Sequence, residues 1–381
     1  MSQCNETFDE IAHQLGGFSC RNAPAIVHLR NPLSLTNWTL PVLELMMVFG
    51  AGLALWWSIR RLRRDNDPTN LALWIASIVY LLATEIPLYF PDRFGMQDRI
   101  GVVFDHNVFT VQFLYERLPL YIVALYPAVA TLAFEIVRVL GVFSRRHGIV
   151  LGSVCVGFAH QCFYEVFDQL GPQLRWWQWN ADNPMNHPMF ASVPMTSVFI
   201  FATLGPAVLT FLVMWFVGRQ VAHDKALGVH SFAWRTVAAG LLVPAGVAIL
   251  SVPSSLFSGH VHAQAVVFAV ELALFALTAT PTLVRQWLFL RHVGAAPNVF
   301  LGVFGPVYLG VLAALWIGAL PGYFGAEHGI TSDATPTGSL PYAAIGFALA
   351  AVLVVMGLTA GRSPSANEAP RGPVGRAGAQ L

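Results

Sequence analysis

The chain has 381 residues, of which 56% are hydrophobic and only 11% are charged, and its mean hydropathy is +0.60. Soluble domains carry about 25% charged residues, so this composition excludes a water-covered globular protein and predicts an integral membrane protein. The net charge of +1, without a long basic run, argues against nucleic acid as a partner. A retinal pigment is excluded too, because the single lysine, Lys225, lies in a polar connection.

Nine apolar segments, each of about 20 residues, follow a mixed polar stretch over residues 1–38. They cover residues 39–59, 71–90, 118–140, 148–170, 194–218, 234–257, 263–284, 298–320 and 341–361. The pattern predicts an all-α fold, a polytopic transmembrane helix bundle of about nine spans over residues 39–361 in a cell membrane. The tail 362–381 has too little apolar content to fold and is predicted to be disordered.

Basic residues are distributed unequally between the two sides that an alternating path defines. Fifteen of the 21 follow odd-numbered segments or lie in the tail, and six lie on the other side. Because basic residues favour the cytoplasmic side, the N-terminus is predicted to be outside and the C-terminus cytoplasmic. In the extracytoplasmic segment 1–38, Cys4 and Cys20 could form a disulfide or remain free thiols, and the sequence leaves both open.

The fourth segment, residues 148–170, carries polar side chains although it is long enough to cross a bilayer. At about 100° per residue, five of them project within an arc of about 140°. These five are His160, Gln161, Tyr164, Glu165 and Asp168. Ionisable groups inside a membrane are costly and usually face a cavity or a partner. The segment is therefore predicted to line a functional site, with a structural network between helices as the alternative.

Carboxylates are concentrated in the predicted outer half of the bundle, and Glu135, near the cytoplasmic end, is the exception. One interpretation is a polar cavity open to the outside, because buried ionisable groups need a partner or water. The residues expected to contact substrate there, besides those of the fourth segment, are Glu44, Glu85, Glu116 and Glu271. The other interpretation is that the first three reach lipid headgroups and that only Glu165 and Asp168 are buried.

The connection after the fourth segment, residues 171–193, contains Trp177 and Trp179 among several asparagines and prolines. An interfacial belt explains part of this pattern, because tryptophan favours membrane interfaces. An ordered lid over the cavity explains the rest, and the two tryptophans are expected to contact substrate.

Metal ligation is the less favoured interpretation of the histidines. His260 and His262 form an H-x-H pair, and His106 follows Asp105 on the same predicted side. Imidazole suits zinc, copper or iron, but no H-x-x-x-H or H-E-x-x-H pair occurs. The sequence therefore predicts no metal and no other cofactor.

Asp168, Trp177, Trp179, Val193 and Pro194 form a polar helix end, a W-x-W segment and a V-P step that opens the next segment. Over about residues 165–197 this pattern resembles the carotenoid-biosynthesis membrane proteins that include carotenoid hydratases. The resemblance implies an isoprenoid or another membrane lipid as partner. The rest of the chain does not follow the family's pattern, so no catalytic residues are carried over from it.

Together these patterns predict an enzyme that acts on a lipid-soluble, isoprenoid-like substrate by acid–base chemistry, as a lyase, isomerase or cyclase. Glu165 or Asp168 would protonate an alkene. His160 or Tyr164 would position the substrate or relay protons. A proton- or cation-coupled transporter is one alternative, and a membrane scaffold without chemistry is the other. The sequence does not determine the oligomeric state.

Overall fold

The computed structural model describes residues 5–223, 227–291 and 298–360. Within these ranges nine helices are long and apolar enough to cross a membrane, as the sequence predicts. The chain is therefore a multi-pass membrane protein built on a helical bundle. Cys4, the side chain of Cys20, Lys225 and the tail 362–381 fall outside the described part, so the predictions made for them stay predictions.

A short helix, α1 (Glu6–Gly16), precedes the nine apolar helices. These are α2 (Thr39–Asp65), α3 (Thr69–Tyr89), α4 (Leu120–Val139), α5 (Gly148–Asp168), α6 (Ser197–Ala222), α7 (Val229–Leu250), α8 (Val261–Leu290), α9 (Val299–Phe324) and α10 (Leu340–Thr359). Each coincides with one predicted segment, and only the ends differ by several residues. Apolar length determines the number of helices because about 20 residues at 1.5 Å each span the hydrocarbon core.

Helices α4 and α5 form the centre of the bundle. α4 packs against α2, α3 and α5, and α5 also contacts α6, α8 and α10. The apolar window of α4 is 83% buried inside the protein, whereas that of α8 is only 17% buried. The peripheral helices expose large apolar side chains such as Leu241, Leu277 and Ile345. A surface of this kind suits contact with lipid rather than water.

Helix α6 is not a regular α-helix throughout, because Ser197–Leu204 and Met214–Gly218 are π-helical. Such turns are rare and often occur at functional sites. The first of them lies against α5 at Gly157, where a Cβ atom would be 2.6 Å from the carbonyl oxygen of Thr203. The glycine therefore permits the close approach that brings the π-helical segment beside His160.

One end of the bundle is covered by residues 5–38, 90–119, 169–196 and 325–339, which together form what we call the loop layer. Short antiparallel strands order it: β1 (Val27–Leu29) with β3 (Val111–Phe113) and β4 (Leu118–Pro119), β2 (Phe104–His106) with β5 (Trp177–Trp179), and β6 (Met189–Phe190) with β7 (Val193–Pro194). Helix α1 packs on β2 and β5. The all-α prediction thus describes the bundle but not this layer.

The opposite end of the bundle contains a polar network around Glu135, whose side chain is completely buried. Trp57 Nε1 and Asn298 Nδ2 donate to its Oε2 over 2.9 and 2.7 Å. Asn70 Nδ2 and Arg138 Nε donate to its Oε1 over 2.9 and 3.1 Å. These donors belong to α2, α3, α4 and the N-cap of α9, so one carboxylate connects four helices.

Asp67, between α2 and α3, continues this network. Burial alone raises the pKa of Asp67, but Arg138, Thr69 and Arg61 outweigh burial and hold the pKa below its ordinary value. Both arginines lie within hydrogen-bond distance of its Oδ2, at 3.1 and 3.0 Å. The carboxylate is therefore charged at neutral pH and fixes the connection to the end of α4.

Candidate functional site

A cavity walled by aromatic rings lies between α3, α4, α5 and α6, directly beneath the loop layer, and we call it the aromatic cavity. It consists of two adjoining pockets, each with a volume of about 30 Å³, whose walls share Tyr164 and Phe201. The part next to the loop layer is lined by Glu85, Phe104, His106, Ile122, Tyr164, Phe167, Trp177, Trp179 and Phe201. The deeper part is lined by Tyr80, Leu125, Tyr126, Ala130, His160, Tyr164, Phe201, Pro206 and Leu209.

Glu85 supplies the one carboxyl group among these lining residues, and its side chain is only 5% exposed. Its Oε1 accepts a hydrogen bond of 2.6 Å from the hydroxyl of Tyr126 on α4. Its Oε2 is buried without a well-formed hydrogen bond in the described residues, and the hydroxyl of Tyr89 lies beside the carboxyl group. A buried carboxyl with one oxygen held and the other without a well-formed hydrogen bond can exchange a proton with a molecule in the cavity.

His160 lies in the wall of the deeper part. Its Nδ1 is 2.7 Å from the carbonyl oxygen of Ala202, in the first π-helical segment of α6. Because a carbonyl oxygen only accepts, Nδ1 carries the proton, and Nε2 of the neutral ring is left as a proton acceptor. The ring stacks on Tyr164 with the centroids 5.6 Å apart. The structure thus places Glu85 and His160 in two adjoining pockets, with Tyr164 in the wall of both.

Strands β2 and β5 form the roof of this cavity. Phe104 pairs with Trp179, and His106 pairs with Trp177. The six-membered ring of Trp177 occupies the space above Gly171, where a Cβ atom would lie 2.0 Å from it. Neither indole N–H of the two tryptophans makes a hydrogen bond within the part of the chain that is described. The W-x-W segment therefore forms a strand that walls the cavity, with two buried donors unoccupied.

His106 fixes the roof to the bundle. Its Nε2 is 2.9 Å from the hydroxyl of Tyr89 on α3, and its Nδ1 is 2.9 Å from the hydroxyl of Tyr121 on α4. Burial lowers the pKa of His106 to about 3, so the ring is neutral at physiological pH. A neutral imidazole has one donor and one acceptor, and the two tyrosines use both.

His106→Gln is expected to reduce the loss of stability in acid. An unfolded histidine takes up a proton near pH 6.5, whereas the folded protein resists protonation until about pH 3. Protonation between these values favours the unfolded state, so wild-type stability falls as pH drops below about 6.5, by up to about 1.4 kcal/mol per pH unit. Glutamine keeps a donor and an acceptor but does not titrate. Thermal unfolding in detergent from neutral pH to about pH 5 measures both slopes, and equal slopes would contradict this role of His106.

Glu165 faces a separate groove between α5, α8 and α10, not the aromatic cavity. This groove has a volume of about 240 Å³, and its walls include Gln161, Leu272 and Tyr342. Gln161 Nε2 donates to the Tyr342 hydroxyl over 2.9 Å. Gln169 Nε2 lies 3.3 Å from Glu165 Oε2, while Oε1 is buried without a partner among the described groups.

Asp168 lies between these two sites on α5. Its Oδ2 accepts a hydrogen bond of 2.7 Å from the hydroxyl of Ser197, at the start of α6. It is completely buried and does not line the aromatic cavity. The polar side chains of α5 therefore face three environments: the aromatic cavity, the groove beside α8 and α10, and the start of α6. The sequence predicted one cavity around all five side chains, and the structure does not have it.

Glu44 and Glu116 are occupied by the loop layer. Glu44 accepts hydrogen bonds of 2.9 and 3.1 Å from the backbone N–H groups of Thr110 and Val111. Glu116 forms an ion pair with Arg30 and lies in the turn before β4, ahead of the third span. Neither carboxylate lines the aromatic cavity. The sequence suggested that they contact either a substrate or lipid headgroups, whereas in the structure they bind groups of the loop layer.

Glu271 lies on α8, near Ser254 and away from the aromatic cavity. Within residues 5–223, 227–291 and 298–360, no three histidine, cysteine, aspartate or glutamate side chains come together as a metal site. His106 is engaged by tyrosines, and His260 and His262 lie at the start of α8. The cavity therefore offers acid, base and aromatic groups as its chemistry.

Several residues of the cavity carry no signal in the sequence. Tyr126, which holds Glu85, and Tyr89 and Tyr121, which hold His106, are tyrosines in ordinary apolar segments. Phe201 enters the wall through the π-helical start of α6. Only the packing of α3 on α4 shows that the hydroxyl of Tyr126 contacts the carboxyl group of Glu85.

The fold and the cavity together define a multi-pass helical membrane protein with an acidic and a basic side chain in one buried aromatic site. Comparisons with protein-family models, with curated proteins and with solved structures give no match to this chain. The function is therefore argued from the cavity itself.

Proposed function

We propose that the protein is an intramembrane enzyme that isomerises, cyclises or hydrates an unsaturated, isoprenoid-like lipid by acid–base chemistry. The Glu85 carboxylic acid donates a proton to a carbon–carbon double bond. His160 Nε2 takes a proton from the resulting cation, or from a water molecule that adds to it. One proton enters the substrate and one leaves, so the reaction needs no oxidant or reductant.

The observation that carries this proposal is the pairing of an acid and a base in one cavity. Glu85 has a buried oxygen without a well-formed hydrogen bond among the described groups, and His160 has an unprotonated ring nitrogen. Tyr164 belongs to both parts of the cavity and stacks on His160. Its hydroxyl is suited to return a proton toward Glu85 after each turnover.

The aromatic walls support a cationic intermediate. The faces of Phe, Tyr and Trp rings attract positive charge, and the attraction is larger where water is excluded. Rings of Tyr80, Tyr126, Phe167 and Phe201 surround the space between the acid and the base. The same rings offer an apolar surface to an unsaturated hydrocarbon chain, which is why an isoprenoid-like lipid is the proposed substrate.

Glu85 takes the role of the acid, which the sequence had suggested for Glu165 or Asp168. Glu165 belongs to the groove beside α8 and α10, and Asp168 is held by Ser197. Their acidity would act outside the space where His160 and the aromatic rings meet. In this proposal both remain next to the site as neighbours of Tyr164 on α5.

The unequal distribution of basic residues supports an orientation in which the loop layer is extracytoplasmic. The N-terminus would then be outside and the C-terminus inside, with the aromatic cavity in the outer half of a cell membrane. On the cytoplasmic side, all four donors of the Glu135 network point at one buried carboxylate. A carboxylate with its acceptor sites occupied is poorly suited to exchange protons, so Glu135 takes no part in the proposed chemistry.

Lipid extracts of cells with and without the gene test the proposal. Deletion is expected to remove one unsaturated lipid product and to accumulate its precursor, and the wild-type gene is expected to restore the product. A gene carrying Glu85→Gln is expected not to restore it. Glu271→Gln is the matched control, because it neutralises a carboxyl group in a span outside the aromatic cavity, and it is expected to restore the product. Identical extracts from all of these strains would overturn the proposal.

A further inference from the structure

A second large cavity lies within the loop layer, on the other side of Trp177 and Trp179, and we call it the loop-layer cavity. It has a volume of about 520 Å³, within the roughly 300–1,000 Å³ range of small-molecule sites. Four separate segments meet in its walls: the end of α1, the chain after α5, the β6–β7 hairpin and the connection before α10. The two tryptophans belong to the walls of both cavities.

Buried polar atoms in this wall lack partners. Trp177 is 3% exposed and Ser192 is 5% exposed. The indole Nε1 of Trp177 and the hydroxyl of Ser192 make no hydrogen bond within the described residues, and the same holds for Nε1 of Trp179. Such groups are uncommon because an unsatisfied buried donor costs about 1–3 kcal/mol. Of these three groups, Ser192 lines the loop-layer cavity alone, whereas the two tryptophans line both cavities, and a ligand with hydroxyl groups would give the Ser192 hydroxyl a partner.

The charge of the wall disfavours a cationic ligand. No carboxylate lines the cavity, and Arg175 is its single charged residue. The guanidinium group of Arg175 donates to the carbonyl oxygen of Asp333, which holds it in the wall. At the rim, Gln178 Nε2 donates to Gln14 Oε1 over 2.6 Å. This leaves one amide oxygen and one amide NH₂ group available, so the rim offers both an acceptor and a donor.

We propose that the loop-layer cavity binds a neutral, polyhydroxylated ring of the size of a pyranose sugar. Indole faces pack against the C–H faces of such a ring, while N–H, hydroxyl and amide groups bond its hydroxyls. A cationic headgroup would meet Arg175 without a counter-charge, and an apolar ligand leaves the Ser192 hydroxyl unsatisfied. The ring comes either from a free saccharide or from the headgroup of a glycolipid. This inference does not depend on the chemistry proposed for Glu85.

Saturation-transfer NMR on the full chain in phosphatidylcholine nanodiscs tests this proposal. One sample contains methyl β-glucopyranoside, and a second contains a long-chain alkyl glucoside in the bilayer. Transfer to the sugar ring protons is expected in at least one sample. Transfer in the first identifies a free saccharide as a ligand, and transfer only in the second identifies a lipid headgroup. Absence of transfer in both would overturn the proposal.

Variants locate the bound ring. Ser192→Ala and Trp179→Phe are each expected to weaken binding about fivefold, the effect of losing one hydrogen bond. Ser34→Ala is the matched control, because this exposed loop-layer hydroxyl bonds the Asn31 carbonyl outside the cavity, and it is expected to bind normally. Glu85→Gln is also expected to bind normally, which separates this site from the reaction. Unchanged binding in both Ser192→Ala and Trp179→Phe would place the sugar elsewhere and overturn the inference.

Discussion

Glu135→Ala is expected to lower the free energy of unfolding by about 3–5 kcal/mol, the usual loss when one partner of a buried ion pair is removed. The carboxylate is completely buried and accepts from Trp57, Asn70, Arg138 and Asn298. Its removal leaves buried N–H donors from four elements without their acceptor. Alanine is a good helix former, so the loss comes from the network rather than from the conformation of α4.

Unfolding by SDS in mixed micelles measures this change, with Glu271→Ala as the control. Glu271 is also a glutamate within an apolar helix, but it lies on the least buried of the nine, and its partner is the side chain of Ser254. The control is expected to change stability by less than about 1 kcal/mol. If the two variants proved equally stable, the network at Glu135 would not be holding the helices together.

The number and position of the helices followed from the sequence because each span needs a long apolar run, and such a run is visible without any knowledge of its neighbours. The loop layer did not follow. Strands β4, β6 and β7 have two residues each and the others have three, too short for an alternating pattern. Strands β2 and β5 pair although two transmembrane helices, α4 and α5, separate them in the sequence. The packing of α4 on α5 brings these strands together.

The polar side of α5 shows that helical periodicity alone does not predict which side chains share a site. The five side chains do project within an arc of about 140°, but several helices meet α5 within that arc. His160 and Tyr164, about 40° apart, contact the aromatic cavity, whereas Gln161 and Glu165, also about 40° apart, contact the groove beside α8 and α10. Periodicity gives a direction from the helix axis and not the identity of the helix that lies there.

Depth in the membrane was a similarly incomplete guide for the carboxylates. Glu44 and Glu85 have comparable predicted depths, but Glu44 caps two backbone N–H groups of the loop layer and Glu85 lines the aromatic cavity. The difference arises from contacts with residues 110, 111 and 126, which are 41 to 67 positions away along the chain. Long-range contacts of this kind leave no local pattern in the sequence.

Glu85→Gln is expected to lower turnover of the lipid substrate by a factor of about 10²–10⁴, the usual contribution of a general acid. The glutamine side-chain oxygen can still accept the hydrogen bond from Tyr126, so the helices should stay in place while the transferable proton is lost. In deuterated water the wild-type product is expected to carry deuterium at the protonated carbon, and the residual product of the variant is expected to appear at the reduced rate.

His160→Asn completes the test, because the asparagine Nδ2 can donate to the Ala202 carbonyl as Nδ1 of the histidine does, while the acceptor nitrogen is removed. Each single variant should be slow, and the double variant should be scarcely slower than the worse of the two, since Glu85 and His160 act in successive steps and the slower step sets the rate. Multiplied losses in the double variant would mean that Glu85 and His160 stabilise one and the same transition state. Full turnover by Glu85→Gln would remove the acid from the mechanism altogether, because no other carboxyl group lines the described walls of this cavity.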